Sequence, residues 1–237
     1  MNEHDGGTCQ NVAMPTHDDT WLVVPLYNEA RVVGEVIAGA LPTFGHIVCV
    51  DDGSTDSSAA VAEAAGATVI RHATNLGQGA ALQTGIDFVL TQTDARYLVT
   101  FDADGQHQVS DAADMVRRAR EEDLAVVFGS RFLDNRTKAG LLKRIVLKTA
   151  VWVTNQSTGL RLTDAHNGLR VIRRDAAAGV QLRQDRMAHA SEIVLQLGRT
   201  RLPWTEHPVH VLYTDYSKGK GQSLWNSVNI LVELMFK

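Results

Sequence analysis

Cysteine is nearly absent. The chain has two in 237 residues, Cys9 in a polar stretch and Cys49 inside an apolar run. That excludes a disulfide framework and a cysteine-based zinc site, and it fits a reducing cytoplasm. Long apolar runs are missing too. No window of about 18 apolar residues occurs, so no transmembrane helix is expected. The opening stretch MNEHDGGTCQNVAMPTHDD lacks a basic region followed by an apolar one, so no secretory signal is expected. Nor is there an excess of positive charge. The formal net charge of -4 gives no reason to expect a nucleic-acid partner. Two glycine-rich phosphate-binding strings are also absent. The turn after the first apolar run, PLYNEARV, contains no glycine, so G-x-G-x-x-G is excluded there, and no G-x-x-x-x-G-K-[ST] string occurs.

What is present is the composition of an ordinary globular protein, 44% hydrophobic and 21% charged. From Trp21 the pattern becomes regular. WLVVPL (21–26), HIVCVDD (46–52), ATVIRH (67–72), RYLVTFDAD (96–104) and LAVVFGSRF (124–132) are strand-length runs rich in β-branched residues. They are apolar at nearly every position, as in parallel strands buried on both faces. Helical patterns fill the gaps at 29–41, 56–66, 79–92 and 110–122. Four alternations predict an α/β domain with a mostly parallel central sheet flanked by helices.

The second half is less regular. Residues 138–159 read as a basic amphipathic helix, 167–176 as a strand entering a turn, 187–199 as a helix and 204–214 as a strand. No repeat or linker separates two domains. The expectation is a mobile tail over 1–19, one domain over 20–222 and an amphipathic helix over 223–237. That last helix carries Leu224, Val228, Leu231 and Met235 on one stripe. Such a stripe packs on its own domain or lies at a membrane interface.

Ligands of open α/β sheets bind beyond the carboxyl ends of the strands. Polar clusters stand at those places: PLYNE (25–29), DDGSTD (51–56), NLGQGAA (75–81) and DADGQH (102–107). Turns alone need fewer acids and Asn. Asp102 and Asp104, one residue apart at a strand end, suit a divalent cation, because magnesium takes oxygen ligands and is held by one or two carboxylates plus substrate phosphates.

In their order along the chain these strings closely resemble the inverting family 2 glycosyltransferases of GT-A fold. DAHNGLRVIRRD (164–175) resembles the family's D-x-x-S/N-G-F-R segment. TDYSKGKGQS (214–223) resembles the basic loop of polyprenyl-phosphate sugar synthases, and GSRF (129–132) resembles their G-T/S-R string. The resemblance implies a Rossmann-like nucleotide-binding half and a hexosyltransferase that uses a UDP- or GDP-linked sugar with Mg2+ or Mn2+. By the same resemblance Pro25, Tyr27 and Glu29 surround the base and ribose, Asp52 bonds the base, and Gly77 and Gly79 let the backbone approach the nucleotide. Asp102 and Asp104 are the D-x-D pair, with Gln106 a third metal or phosphate neighbour. Lys218 and Lys220 close over the diphosphate, although on composition alone their loop is an ordinary solvated one. Arg131 becomes a candidate for bidentate binding of an acceptor phosphate.

One departure bears on the acceptor. Family members that act on sugar hydroxyls often carry an acidic E-D pair where this chain has QDRMAHASEI (184–193). Asp185 and His189 are the candidate bases here, His189 being equally readable as a polar residue at a helix start. A lipid phosphate arrives already ionised and needs no strong base. The expected acceptor is therefore a polyprenyl phosphate, with a sugar hydroxyl of a growing glycan as the alternative. A catalytically silent nucleotide-sugar-binding protein is the rival from another class. The expected location is the cytoplasm, with peripheral contact at the inner face of the membrane.

Overall fold

The computed structural model describes residues 17–134, 160–183 and 188–212. The helices expected over 138–159 and 223–237, most of the tail, Asp185, Lys218 and Lys220 lie outside the described residues. Strands β1 (Thr20–Leu26), β2 (His46–Asp51), β3 (Thr68–Arg71) and β4 (Tyr97–Thr100) alternate with helices α1 (Val33–Phe44), α2 (Ser58–Ala64) and α3 (Gln78–Gln92). Then follow α4 (Val109–Glu121), β5 (Val126–Ser130), β6 (Arg170–Arg173), α5 (Arg174–Ala177), α6 (Ala188–Arg199) and β7 (Trp204–Pro208). The sheet order is β3-β2-β1-β4-β6-β5-β7. All pairs are parallel except those of β6, which runs antiparallel to both β4 and β5. This is the mostly parallel α/β domain that the alternation predicts.

Burial on both sheet faces explains the unbroken apolar runs. Leu22, Val24 and Leu26 of β1 face one core with Ile37 and Phe44 of α1 and Met115 and Val116 of α4. Val23 faces the other core with Leu82, Ile86 and Val89 of α3 and Ile193, Val194 and Leu197 of α6. Cys49 is buried in the first of these, and burial pushes its thiol pKa up to about 12, so it acts as a small apolar side chain. α3 lies close on β1 because Gly85 has no side chain. A Cβ there would overlap Val23 Cγ1 and sit 3.4 Å from Val50 Cγ2. Gly85→Ala is therefore expected to destabilise the protein by about 1–3 kcal/mol, the usual cost of overpacking, as checked by denaturant titration.

Several ends differ from expectation for physical reasons. β4 stops at Thr100, so Phe101–Asp104 lie in the loop beyond the strand. α1 begins at Val33, after a turn in which Glu29 O accepts the Val32 and Val33 amides, and it continues through Pro42 to Phe44. β7 ends at Pro208, after which the chain turns towards α4: the His210 amide donates to Asp111 Oδ2 at 2.7 Å and the Leu212 amide to Gln106 O at 2.9 Å. At the amino end, His17–Asp19 form a turn on the domain. The His17 amide donates to Thr43 O at 3.1 Å, and Arg120 pairs with Asp19.

Candidate active site

The carboxyl ends of β1, β2 and β4 and the β3–α3 loop meet along one edge of the sheet. β1 and β2 are laced together there. The Asn28 amide donates to Ser54 Oγ at 2.9 Å, the Thr55 amide to Asn28 Oδ1 at 2.9 Å, and the Glu29 amide to Ser58 Oγ at 2.7 Å. Many polar letters of PLYNE and DDGSTD thus tie the two loops to each other. Tyr27 is exposed. Pro25 is not: it is buried inside β1, opposite Val50. A proline is tolerated in this central strand because the β1–β4 pairing ends at Val23 opposite Thr100, so no ladder partner awaits its missing N–H. Pro25 therefore shapes the strand end from within rather than lining an open surface.

Asp52 is buried and its carboxylate is heavily engaged. Oδ1 accepts from the Leu76 amide and His72 Nδ1, each at 2.8 Å, and Oδ2 accepts from the Gly77 amide at 2.8 Å. A carboxylate offers about four acceptor positions, so about one remains for a base N–H. The main structural work of Asp52 is to hold the NLGQG loop, something the spacing of the sequence did not show. Gly77 has φ 96° at the start of α3, a conformation that favours glycine, and Gly79 is buried in the first turn. Gly53 has φ 72°, and a Cβ there would come within 2.8 Å of the Asn75 amide nitrogen.

At the end of β4, Asp102 and Asp104 have different surroundings. Asp102 Oδ2 is bonded by His107 Nε2 at 2.9 Å, and Oδ1 by Gln78 Nε2 at 3.3 Å. Burial would raise the Asp102 carboxyl pKa, but the hydrogen bond and electrostatic pull of His107, with Arg170 and His189 nearby, hold it below the ordinary carboxylate value. Asp104 goes the other way. Burial raises it first, then the charge of Asp102 and, more weakly, that of Glu29, against the Gln106 amide that donates to Oδ1 at 3.0 Å. The Asp102 and Asp104 carboxylates, one residue apart beyond β4, thus lie in each other's field, with Glu29 beyond β1 a weaker contributor. Gln106 reaches Asp104 through its backbone, and its own carbonyl anchors Leu212.

Such a spot suits a divalent cation. The donors are hard oxygens, and a cation would relieve the repulsion that raises Asp104. Among the described residues no three His, Cys, Asp or Glu side chains form a complete ligand set. A magnesium or manganese ion there would take its remaining oxygens from a diphosphate.

The loop before β6 closes the site from the other side. Gly168 lies against Asp102: a Cβ built on it would fall 2.9 Å from Asp102 Cγ and closer still to Oδ2. Thr100 Oγ1 donates to Gly168 O at 2.5 Å. Asp164 is buried and grips Arg131 by a fork, with Nε–Oδ2 at 2.6 Å and Nη2–Oδ1 at 2.8 Å. Burial raises the Asp164 carboxyl, but the Arg131 charge and hydrogen bonds outweigh it and hold its pKa low. The fork edge by which Arg131 was expected to grip an acceptor phosphate is thus committed to Asp164. The structure joins GSRF to DAHNG through this pair.

His189 sits buried in the first turn of α6, near Asp102 and His166; protonated, it would favour the Asp102 carboxylate. His166 is buried, and burial lowers its pKa to about 4, so it stays neutral near pH 7. Arg170 is buried beneath the same loop. Burial lowers its pKa to about 10, while Asp102 and Asp164 pull it upward. Sequence reasoning passed over His72, His107, Asp164, His166, Gly168 and Arg170. Asp164, Gly168 and Arg170 left a signal, as fixed letters of the D-x-x-S/N-G-F-R string.

A parallel sheet that gathers a pinned glycine loop and a carboxylate pair at one edge, with an antiparallel strand closing that edge, defines the GT-A glycosyltransferase architecture. Glucosyl-3-phosphoglycerate synthase from Mycobacterium tuberculosis, solved with Mn2+, UDP-glucose and phosphoglyceric acid, has the same fold, with a TM-score of 0.62 and 17% identity over 91% of this chain and 79% of its own. Residues 21–180 match the family profile described as Glycosyl transferase family 2, and the chain belongs to that family. An uncharacterized protein of Methanocaldococcus jannaschii is 33% identical over 93% of this chain and 92% of its own length. A Methanococcus voltae relative, UDP-N-acetylglucosamine–dolichyl-phosphate N-acetylglucosaminyltransferase, is 27% identical over 91% of this chain and 94% of its own length. The protein is thus a glycosyltransferase.

Proposed function

We propose that the protein is a metal-dependent, inverting hexosyltransferase that moves a sugar from UDP or GDP to a polyprenyl phosphate. The observation that carries this is the carboxylate pair Asp102 and Asp104 beyond β4, tied to the Asp52-pinned loop by Gln78 Nε2, which donates to Asp102 Oδ1 at 3.3 Å. A diphosphate–cation pair is the ligand chemistry such a spot favours. The M. voltae relative, named for transfer to dolichyl phosphate, supports a lipid phosphate acceptor.

In this reading the NLGQG backbone cradles the nucleotide, and Asp52 accepts from an imide N–H of uracil or guanine. Asp104, with Asp102 beside it, would hold a Mg2+ or Mn2+ ion at the diphosphate end of the donor. When bound, Mg2+ or Mn2+ supplies Lewis-acid neutralisation of the departing diphosphate. An acceptor phosphate oxygen attacks the anomeric carbon from the face opposite the diphosphate. The new C–O bond forms as the old one breaks, so the configuration inverts. The nucleophile is already anionic, so no side chain need remove a proton. Pro25, Tyr27, Gly77, Gly79 and Gln106 shape the donor side, and Lys218 and Lys220 cover the diphosphate. Among the described residues no helix is long and apolar enough to cross a membrane. Reaching a lipid acceptor then calls for contact with the membrane surface.

A sugar-hydroxyl acceptor is the second reading, favoured by the buried His189 near Asp102, with Asp185 as a further base. A positioned base is worth about 10²–10⁴-fold where a hydroxyl must lose its proton. With a polyprenyl phosphate acceptor and a panel of UDP- and GDP-sugars, His189→Ala is expected to lose less than about tenfold in kcat. A larger loss with intact nucleotide binding would shift the assignment to a hydroxyl. Arg131→Ala is a poor probe of the acceptor, because it strands the buried Asp164 carboxylate. Turnover with any pair excludes a silent binding protein.

A further inference from the structure

The NLGQG loop has an unusual means of support. Leu76 is 51% exposed, so apolar burial does not hold the loop in place. Its position depends on polar ties: two of its amides donate to Asp52, and Gln78 Nε2 donates to Asp102 Oδ1 at 3.3 Å. Both Asp52 oxygens accept loop amides, from Leu76 and Gly77. The carboxylate can hold two amides at once only if its plane is fixed.

His72 supplies that constraint. The ring follows β3, and its backbone amide extends the β2–β3 pairing by donating to Asp51 O at 2.9 Å. Its side chain is 9% exposed and that of Asp52 4%. A carboxylate only accepts, so Nδ1 carries the proton and donates to Asp52 Oδ1 at 2.8 Å. Nε2 is hydrogen-bonded to Thr84 Oγ1 at 2.9 Å. Thr84 stands on α3, the helix that packs on β1 through Gly85. A rigid ring, hydrogen-bonded at both edges, spans from the sheet's end to the helix.

We propose that His72 is a positioning residue for the donor nucleotide. It locks the Asp52 carboxylate between α3 and the loop, and so fixes the surface on which the nucleotide lies. This rests on the nucleotide-binding reading above, and its test keeps the two apart.

The probes are UDP and GDP, each with MnCl2, titrated calorimetrically into wild type, His72→Phe, His72→Asn and Thr84→Val. Phenylalanine fills the space of the ring without either bond. Asparagine keeps an N–H donor close to the position of Nδ1. For whichever nucleotide the wild type binds, His72→Phe is expected to weaken binding about 10–100-fold, as for loss of a hydrogen bond to a charged group. Donor KM should rise in step while acceptor KM stays nearly constant. His72→Asn should remain within about threefold of wild type. Amide exchange at Leu76 and Gly77 should quicken in His72→Phe and not in His72→Asn.

A folded His72→Phe with wild-type affinity, or with unchanged exchange at both amides, overturns the inference and leaves the nucleotide reading standing. Should His72→Phe fail to fold, Thr84→Val decides: it releases the far edge of the ring, and unchanged binding and exchange there overturn the inference too. A wild type that binds neither nucleotide removes the nucleotide reading and this inference together.

Discussion

Asp104→Ala is expected to lower turnover by about 10²–10³-fold or more, as loss of a preorganised electrostatic group at a departing anion does. The stabilisation that UDP or GDP gives should then be the same with manganese and with a chelator, where the wild type gains only with the metal. A second consequence has the opposite sign. Asp104 is raised by burial, by Asp102 and by Glu29, so its ionised form is held against repulsion when no cation is present. Removing it should leave the metal-free protein at least as stable as wild type. Thermal melts with and without manganese read both effects. Full activity in excess chelator would remove the metal from the mechanism.

Gly168→Ala should be nearly as damaging, although Gly168 carries no chemistry of its own. The added methyl would occupy the space of the Asp102 carboxylate, and the carboxylate is the part free to yield. Turning it away breaks the His107 bond and misplaces one of the D-x-D pair. A misplacement of about 1 Å can cost about 10²-fold. Because the damage passes through Asp102, it should not add to Asp102→Ala: the double variant should be no slower than the worse single one. Additive losses would show that Gly168 acts by another route. Melting temperatures of all three variants separate misplacement from unfolding.

The sheet was legible in the sequence because it follows from local pattern. The runs at 21–26 and 46–52 announce buried strands, and acids at their ends announce a ligand edge. Three things stayed hidden. The antiparallel setting of β6 depends on which strands flank it, and RVIR alone does not say. The fork between Arg131 and Asp164 joins residues 33 apart in sequence. His72 and Thr84 follow no motif spacing. Each owes its role to a contact made across elements, which composition and periodicity do not record. Pro25 shows the reverse case: its letter matched a ligand-binding string, while its burial in β1 makes it a backbone feature.

β6 also sets a schedule for the growing chain. Among the described residues β5 pairs with β6 and β7, both made after it. During synthesis its apolar VVFGS segment therefore leaves the ribosome with α4 to pack on but before either of these strand partners exists. About 40 further residues must be added before β6 begins, roughly 2–8 s at 5–20 residues per second. Meanwhile β1–β4 can already assemble, with the flank of β4 open for the strand to come. A bare strand and an open sheet edge side by side invite pairing with a second nascent chain. Slowing translation between residues 130 and 170 should therefore lower the yield of soluble protein, and a chaperone that shields extended apolar segments should restore it.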